Sequence, residues 1–188
     1  MLFLSQPARL SPRRIALRAT LCSLLVTACS PTFDWRDVRP PESGARLLMP
    51  CKPAAQERRI SLAGSTVRLT LLACSAGGLT WGLAHADIAE ASLVAAALQA
   101  LRSAAAANLG VATAAGVAGA IEPLAVPGAT PSASAGRSRL AGRKPDGAAV
   151  QMELVVFARG TRVFQASVLG ERLPPDAVDT FLTSIRIE

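Results

Sequence analysis

Apolar residues recur at every second position in several stretches of this chain, and this alternation constrains its fold more than any other sequence feature. It is clearest over residues 60–62, 67–73 and 79–83. Because a β-strand directs successive side chains to opposite faces, each stretch predicts a strand with one buried face. The pairs Gly64-Ser65 and Gly77-Gly78 separate the stretches and are typical of hairpin turns. The sequence therefore predicts a three-stranded antiparallel meander.

The stretch after the meander has helical spacing. Asp87 followed by Glu90 resembles a capping box and predicts the start of a helix, and Asn108-Leu109-Gly110 predicts its end. The apolar positions between them are Val94, Leu98, Leu101, Ala105 and Leu109. This pattern indicates an Ala-rich amphipathic helix that lies across the sheet.

Strand signals return in the last third of the chain, over residues 138–143, 150–156 and 163–169. Turn residues separate these stretches, and Pro174-Pro175 predicts the start of a final helix. The order of elements is meander, helix, meander, helix. It predicts an α+β fold in which an antiparallel sheet of about six strands is flanked by helices.

Residues 46–188 are predicted to form this fold as a single domain. Within it, residues 111–136 consist almost entirely of Ala, Gly, Val, Pro, Ser and Thr, which predicts a flexible segment. The uncharged run 103–121 contains few of the strongly apolar residues that favour membrane insertion. We therefore do not predict a membrane span there.

Residues 1–28 have the features of an export signal. They carry Arg9, Arg13, Arg14 and Arg18 without an acidic residue, followed by an uncharged run over 19–28 that is rich in Leu and Val. The run is about ten residues long, whereas a helix needs roughly 20 to cross the hydrocarbon layer. The segment is therefore predicted to be a signal peptide and not a permanent span.

The phrase Leu25-Val26-Thr27-Ala28-Cys29 resembles the lipobox of bacterial lipoproteins. The resemblance implies that the Cys29 thiol receives a diacylglycerol group, that the chain is cut before Cys29, and that the new amino group is acylated. It implies attachment to a membrane in the cell envelope. Ser30 after the cysteine is similar to the pattern of lipoproteins sorted to the outer membrane, facing the periplasm. The alternative is an ordinary cleaved signal followed by an unmodified cysteine.

Residues 29–45 have Pro and Gly punctuation and no period. They are predicted to form a lipidated tether that lifts the domain off the bilayer. Phe33 and Trp35 either dock on the domain or lie at the lipid interface, and docking is the favoured alternative. If the second alternative held, this membrane-proximal segment would suit a structural or assembly factor.

Cys51 and Cys74 are the thiols that remain once Cys22 is cleaved away and Cys29 is lipidated. In an oxidising envelope, an even pair predicts a disulfide. The alternative is two separate buried thiols that act as small apolar residues. Neither belongs to a Cys-x-x-Cys pair, which argues against redox catalysis and against a structural zinc site.

The charge of the chain does not indicate nucleic-acid binding. The chain has 20 Lys and Arg against 13 Asp and Glu, but loss of four basic residues with the signal leaves 16 against 13. The largest local cluster, Arg137 to Lys144, has no interleaved aromatic residues, and the chain has no Tyr. We interpret this cluster as a solvated basic edge.

No group of residues in the sequence specifies a chemistry. His85 is the only histidine, so a multi-histidine metal site is excluded, and no nucleophile motif accompanies it. We interpret His85 as a hydrogen-bonded structural residue and Glu153 as a solvent-face strand residue. We therefore predict no catalytic residue, no metal and no cofactor. An enzyme using His85 and Asp87 is the least favoured hypothesis.

The phrase Gly160 to Gly170, followed by a Pro-led helix and Phe181-Leu182-Thr183-Ser184-Ile185, resembles the closing strand and helix of PsbP-like sandwich domains. The resemblance covers about the last 40 residues. It implies an antiparallel sheet between helices and an accessory or binding role without catalysis. The expected partners are an envelope protein or a small apolar ligand, besides the membrane reached through Cys29.

Overall fold

The computed structural model describes residues 32–111, 121–144 and 146–188. The predicted signal peptide 1–28 and the predicted lipidation site Cys29 lie outside these residues. The strands are β1 (Arg36–Val38), β2 (Ala45–Met49), β3 (Ala54–Leu62), β4 (Ser65–Ala76), β5 (Leu79–Asp87), β6 (Gly136–Arg143), β7 (Ala149–Arg159), β8 (Arg162–Gly170) and β9 (Arg186–Ile187). The helices are α1 (Val94–Asn108) and α2 (Pro175–Thr183).

Six of the strands form one antiparallel sheet in the order β3-β4-β5-β8-β7-β6. The first three and the last three are meanders, as the alternation predicts. The meanders join where β5 pairs with β8, with Trp81 opposite Val168. The predicted α+β class and the antiparallel sheet of six strands flanked by helices are confirmed.

Each face of the sheet packs on a separate apolar cluster. Helix α1 covers one face, where Leu98 and Leu101 meet Leu154 and Val163. The other face is covered by α2 together with a small three-stranded sheet in the order β1-β2-β9. The largest side chains of this second cluster are Trp81, Phe157, Phe164 and Phe181, each at most 1% exposed. The six-stranded sheet is therefore the middle layer of a sandwich.

The described part of the predicted tether is folded onto the domain. Strand β1 pairs antiparallel with β2, and the rings of Phe33 and Trp35 lie 5.7 and 5.9 Å from the ring of Trp81. The expectation that residues 29–45 form an irregular tether is therefore corrected for residues 33–45. The reason is that two aromatic rings bury enough apolar area to offset the entropy of ordering a short arm. Docking of Phe33 and Trp35, the favoured alternative, is confirmed.

The predicted flexible segment 111–136 is also partly ordered against the domain. Glu122 forms a bridge with Arg137, Thr130 bridges to Ala158, and Val126 is buried. Residues 112–120 of that segment lie outside the described residues. In the described part of the chain, no helix is both long and apolar enough to cross a membrane.

The start of α1 differs from the predicted capping box. Asp87 is the last residue of β5, and its carboxylate binds Arg162 instead of a helix N-terminus. Helix α1 begins at Val94, after a 3₁₀ turn, and has no side-chain cap. Asp87 does not cap the helix because it pairs with Arg162 in the ladder between β5 and β8, so its backbone and carboxylate are already engaged there.

Candidate functional site

Adjacent strands bring polar side chains together at one end of the sheet. Thr70 of β4 lies opposite His85 of β5, and Asp87 at the end of β5 lies opposite Arg162 at the start of β8. These residues line a cleft of about 310 Å³, which we call the polar cleft. Its polar lining consists of Glu42, Glu57, Arg68, Thr70, His85, Asp87 and Arg162. We call this end of the sheet the cleft end.

Arg162 organises the floor of the polar cleft. Its Nε and Nη2 donate to the two carboxylate oxygens of Asp87 at 2.7 and 2.8 Å, and its Nη1 donates to the backbone carbonyl of Glu42. The hydrogen bond from Arg162 lowers the pKa of Asp87, although partial burial opposes this effect. The pair is therefore ionised and fixed in position at neutral pH.

His85 is the unusual member of the polar cleft. Its side chain is buried, with 9% exposure, and its Nε2 has no hydrogen-bond partner among the described residues. Burial lowers the pKa of His85, and the nearby charge of Arg162 lowers it further, so the ring is neutral at pH 7. A buried polar atom left without a partner costs about 1–3 kcal/mol. The expectation of a hydrogen-bonded structural His85 is therefore not met at Nε2.

Glu42 adds a backbone feature to the rim of the cleft. Its φ is +58°, a left-handed conformation that a residue with a side chain adopts only at a cost of about 1–2 kcal/mol. The turn is held by Ser43, whose Oγ donates to the Pro40 carbonyl at 2.8 Å. Strained residues of this kind cluster at ligand sites, which makes the cleft a candidate for binding.

The hypothesised pair of His85 and Asp87 is brought to one face of β5 but not into contact. Both carboxylate oxygens of Asp87 bind Arg162, and no hydrogen bond joins the carboxylate to His85 in the described part of the chain. Among the same residues, no group of three metal-ligating side chains comes together. The arrangement can bind polar groups, but Asp87 is not placed to orient the imidazole as a general base requires.

A second polar group, centred on Glu153, was not predicted. Glu153 is 9% exposed, so its interpretation as a solvent-face residue is wrong. Its oxygens accept hydrogen bonds from Arg137 Nε at 2.6 Å and Arg139 Nε at 3.0 Å, and Arg137 also binds Asp179 of α2 at 2.7 Å. The network ties α2 to strands β6 and β7, and its role is structural. The supposed solvated basic edge is thus partly neutralised by carboxylates.

An apolar groove lies near residues 121–136, on the part of the flexible segment that the structure describes. It has a volume of about 330 Å³ and is lined mainly by Pro, Leu, Ala and Val side chains, with Phe157 among them. This lining suits the small apolar ligand expected from the sequence.

The sulfur atoms of Cys51 and Cys74 are 2.04 Å apart and their Cα atoms 6.0 Å apart. The predicted pair therefore lies at disulfide distance. It links the connection between β2 and β3 to strand β4.

These features define the class as an α+β domain whose antiparallel sheet is covered on both faces and carries a polar cleft at one end. No protein-family model matches the chain, and no curated protein and no solved structure matches it.

Proposed function

We propose that this chain is a lipid-anchored accessory protein of the cell envelope that binds a small polar ligand, without catalysis, in the polar cleft. The observation that carries this proposal is the buried Nε2 of His85, which has no partner among the described residues. Buried polar atoms are almost always hydrogen-bonded, and a ligand in the cleft would complete this one after a small rearrangement of the cleft wall that exposes Nε2. The strained backbone of Glu42 at the rim supports the same interpretation.

The charges of the cleft indicate the class of ligand. Arg162 is bound to Asp87, and Arg68 lies 3.5 Å from Glu57, so both guanidinium groups already have carboxylate partners. Three carboxylates face two guanidinium groups, which disfavours an anionic ligand. A molecule with hydroxyl or amino groups fits best, because these groups hydrogen-bond to a neutral imidazole. The sequence instead favoured an apolar ligand, for which the apolar groove is the second candidate site.

The absence of catalysis is part of the proposal. A general base on His85 would need an orienting partner, and the carboxylate of Asp87 is occupied by Arg162. The packing of Phe33 and Trp35 on Trp81 argues against the alternative, an assembly factor that acts through residues 31–45.

The location is proposed from the lipobox-like phrase that ends at Cys29, with attachment to the outer membrane facing the periplasm. The disulfide distance between Cys51 and Cys74 supports an oxidising compartment. We also propose the likeness to PsbP-like domains. Its support is the sheet between helices and the hydrogen bond that Ser184 Oγ of the quoted phrase accepts from the Leu48 N–H at 2.9 Å.

Anchoring is tested by growing cells that express the full-length chain with labelled palmitate. The wild type should incorporate the label and the Cys29→Ser variant should not. A wild-type chain that stays unlabelled would refute the lipid anchor.

Ligand binding is tested on the purified mature protein through its single histidine. Labelling histidine with ¹⁵N gives the imidazole signals of His85 alone. We expect a saturable shift on titration with a small amine or polyol and none with a small carboxylate. Thr70→Val should weaken the response several-fold, whereas Thr66→Val, on the same face of β4 but outside the cleft, should leave it unchanged. A panel of amines and polyols that leaves the imidazole signals unmoved would overturn the ligand proposal.

A further inference from the structure

The chain enters the domain at one defined place. Thr32 and Phe33 lie against the turn between β4 and β5, so closely that a side chain on Gly77 would meet Phe33 at 2.7 Å and Thr32 at 3.2 Å. The backbone N–H of Asp34 binds the Pro50 carbonyl at 2.9 Å, which fixes the arm as it reaches the small sheet. The N-terminal arm is therefore attached to the end of the sheet opposite the polar cleft.

Covalent geometry limits how far Cys29 can be from this turn. Cys29 precedes Thr32 by three residues. A fully extended chain covers at most about 3.6 Å per residue, so three residues span no more than about 11 Å. A lipid on Cys29 would therefore place the bilayer beside the β4–β5 turn, with no room for a long tether.

Because the sheet is antiparallel, further segments lie at the end that carries the β4–β5 turn. Strand β3 begins there, β8 ends there, and the connection from β6 to β7 turns there, because Ala54 pairs with Ala73, Thr80 with Leu169, and Arg143 with Ala149. The charged residues in these segments are Lys52, Arg143, Lys144, Asp146, Glu171 and Arg172, all exposed. We call this surface the basic end.

The basic end has an excess of positive charge. In these segments four cations face two carboxylates, of which Glu171 lies 3.8 Å from Lys144, and Arg36 of the arm at the same end is paired with Asp34. Basic residues beside a membrane are attracted to anionic lipid headgroups within about one Debye length, which is about 8 Å at physiological salt. The short chain to Cys29 would keep the β4–β5 turn within about 11 Å of the anchor, a distance comparable with the Debye length.

We propose that the basic end docks on the anionic headgroups of the leaflet that holds the lipid on Cys29. The domain then sits directly on the bilayer, with its strands pointing away from it and the polar cleft open on the far side. This inference rests on the proposed lipid anchor. In place of a domain lifted off the bilayer by a tether, it gives a domain that contacts the bilayer directly and in a fixed orientation.

The test uses the mature lipoprotein, purified in detergent and reconstituted into vesicles of phosphatidylcholine and phosphatidylglycerol. A thiol-reactive fluorophore is attached to Ala149→Cys at the basic end or to Thr161→Cys at the cleft end, both exposed positions. We expect nitroxide-labelled lipids to quench the label at position 149 several-fold more than the label at position 161. Equal quenching, or stronger quenching at position 161, would overturn the docking.

Charge reversal separates the basic end from the anchor. In the Ala149→Cys background, Lys144→Glu with Arg172→Glu should reduce quenching at least two-fold in vesicles with phosphatidylglycerol. Arg58→Glu with Arg59→Glu, a matched reversal in the middle of β3, should not. Unchanged quenching in the first variant would overturn the anionic headgroups as the docking partner.

The palmitate label distinguishes failure of the proposed lipid anchor from failure of the proposed docking. A chain without palmitate would overturn the anchor and the docking together. A chain with palmitate but without preferential quenching at position 149 would overturn the docking alone.

Discussion

At the residue scale, the position of His85 has a consequence for stability. Its ring is buried against Phe164, with a centroid distance of 6.0 Å, and is faced by Arg162, Asp87, Glu42 and Glu57. Burial is the main reason that the pKa of His85 is lowered in the folded state. The unfolded chain, with a histidine pKa of about 6.5, takes up the proton more readily than the folded one.

We therefore predict that the free energy of unfolding falls as the pH drops below about 6.5, and that His85→Gln removes this part of the fall. One proton accounts for a slope of at most about 1.4 kcal/mol per pH unit. The measurement is urea unfolding of both proteins between neutral and mildly acidic pH. Curves that run parallel throughout would contradict the assignment, because the carboxylates contribute equally to both.

Glu153 gives a second prediction at this scale. Glu153→Ala leaves Arg137, whose side chain is only 12% exposed, without its nearest carboxylate. Breaking a buried ion pair in this way should cost about 3 kcal/mol in the free energy of unfolding. Glu122→Ala is the matched control. Its partner Arg139 is 58% exposed, so that change should cost less than about 1 kcal/mol. Equal losses in thermal or urea unfolding would show that Glu153 is not buried as described.

The surroundings of His85 and Glu153 cannot be predicted from their positions in the sequence alone. Alternation places Glu153 on the face of β7 opposite Met152 and Leu154, which is normally the solvent face. Here both faces are covered, and Asp179, the second partner of Arg137, is supplied by a helix that follows one strand later. For His85 the sequence predicts a hydrogen-bonded structural residue, whereas Nε2 has no partner among the described residues, an outcome that depends on neighbours from other strands.

At the element scale, the N-terminal arm depends on the absence of a side chain at Gly77. Gly77→Ala should disturb the packing of Phe33, whereas Gly78→Ala meets no atom within 4 Å. Both glycines have positive φ, +63° and +73°, so both variants carry the same backbone cost. We predict that Gly77→Ala is less stable than Gly78→Ala by about 1–2 kcal/mol, the cost of overpacking.

Unfolding measurements on the two variants check this difference. The near-ultraviolet circular dichroism of Trp35 and Trp81 provides a second readout, since Phe33 contacts both rings. The Gly77→Ala spectrum should change and the Gly78→Ala spectrum should not. Indistinguishable variants would argue that the arm does not pack at this turn.

The long strands and helices are predictable because each repeats its pattern over several residues and is bounded by turn residues. Strands β4 and β5 follow the alternation and the turns at Gly64-Ser65 and Gly77-Gly78, whereas the alternation predicts only residues 60–62 of β3, which begins at Ala54. Strands β1 and β9 have three and two residues, too few to show a period. They exist because β2 pairs with both of them, which is a tertiary cause.

At the scale of the whole molecule, a disulfide between Cys51 and Cys74 would lower the conformational entropy of the unfolded chain. A bridge over a separation of 23 residues removes loop-closure entropy from the unfolded state. We predict that Cys51→Ser with Cys74→Ser lowers the free energy of unfolding by about 3 kcal/mol. Reduction of the wild type should produce the same loss, and the variant itself should not respond to a reductant.

Mass spectrometry of the mature protein provides the covalent check, because a bridged pair lacks two hydrogen atoms and does not react with a thiol reagent. A wild type whose stability is the same with and without reductant would contradict a stabilising bridge.

The class of the fold is predictable from the order of its elements. The pairing of β5 with β8 is not, because it depends on contacts between distant parts of the chain.

The pairing of β5 with β8 also means that β5 is synthesised well before its partner strand. Asp87 and its partner Arg162 are 75 residues apart, so β5 emerges long before β8 exists. Until then the first meander exposes the unpaired backbone of an apolar strand, a surface on which other chains aggregate. Protection of β5 until β8 has been synthesised would be the cellular requirement that follows from this topology.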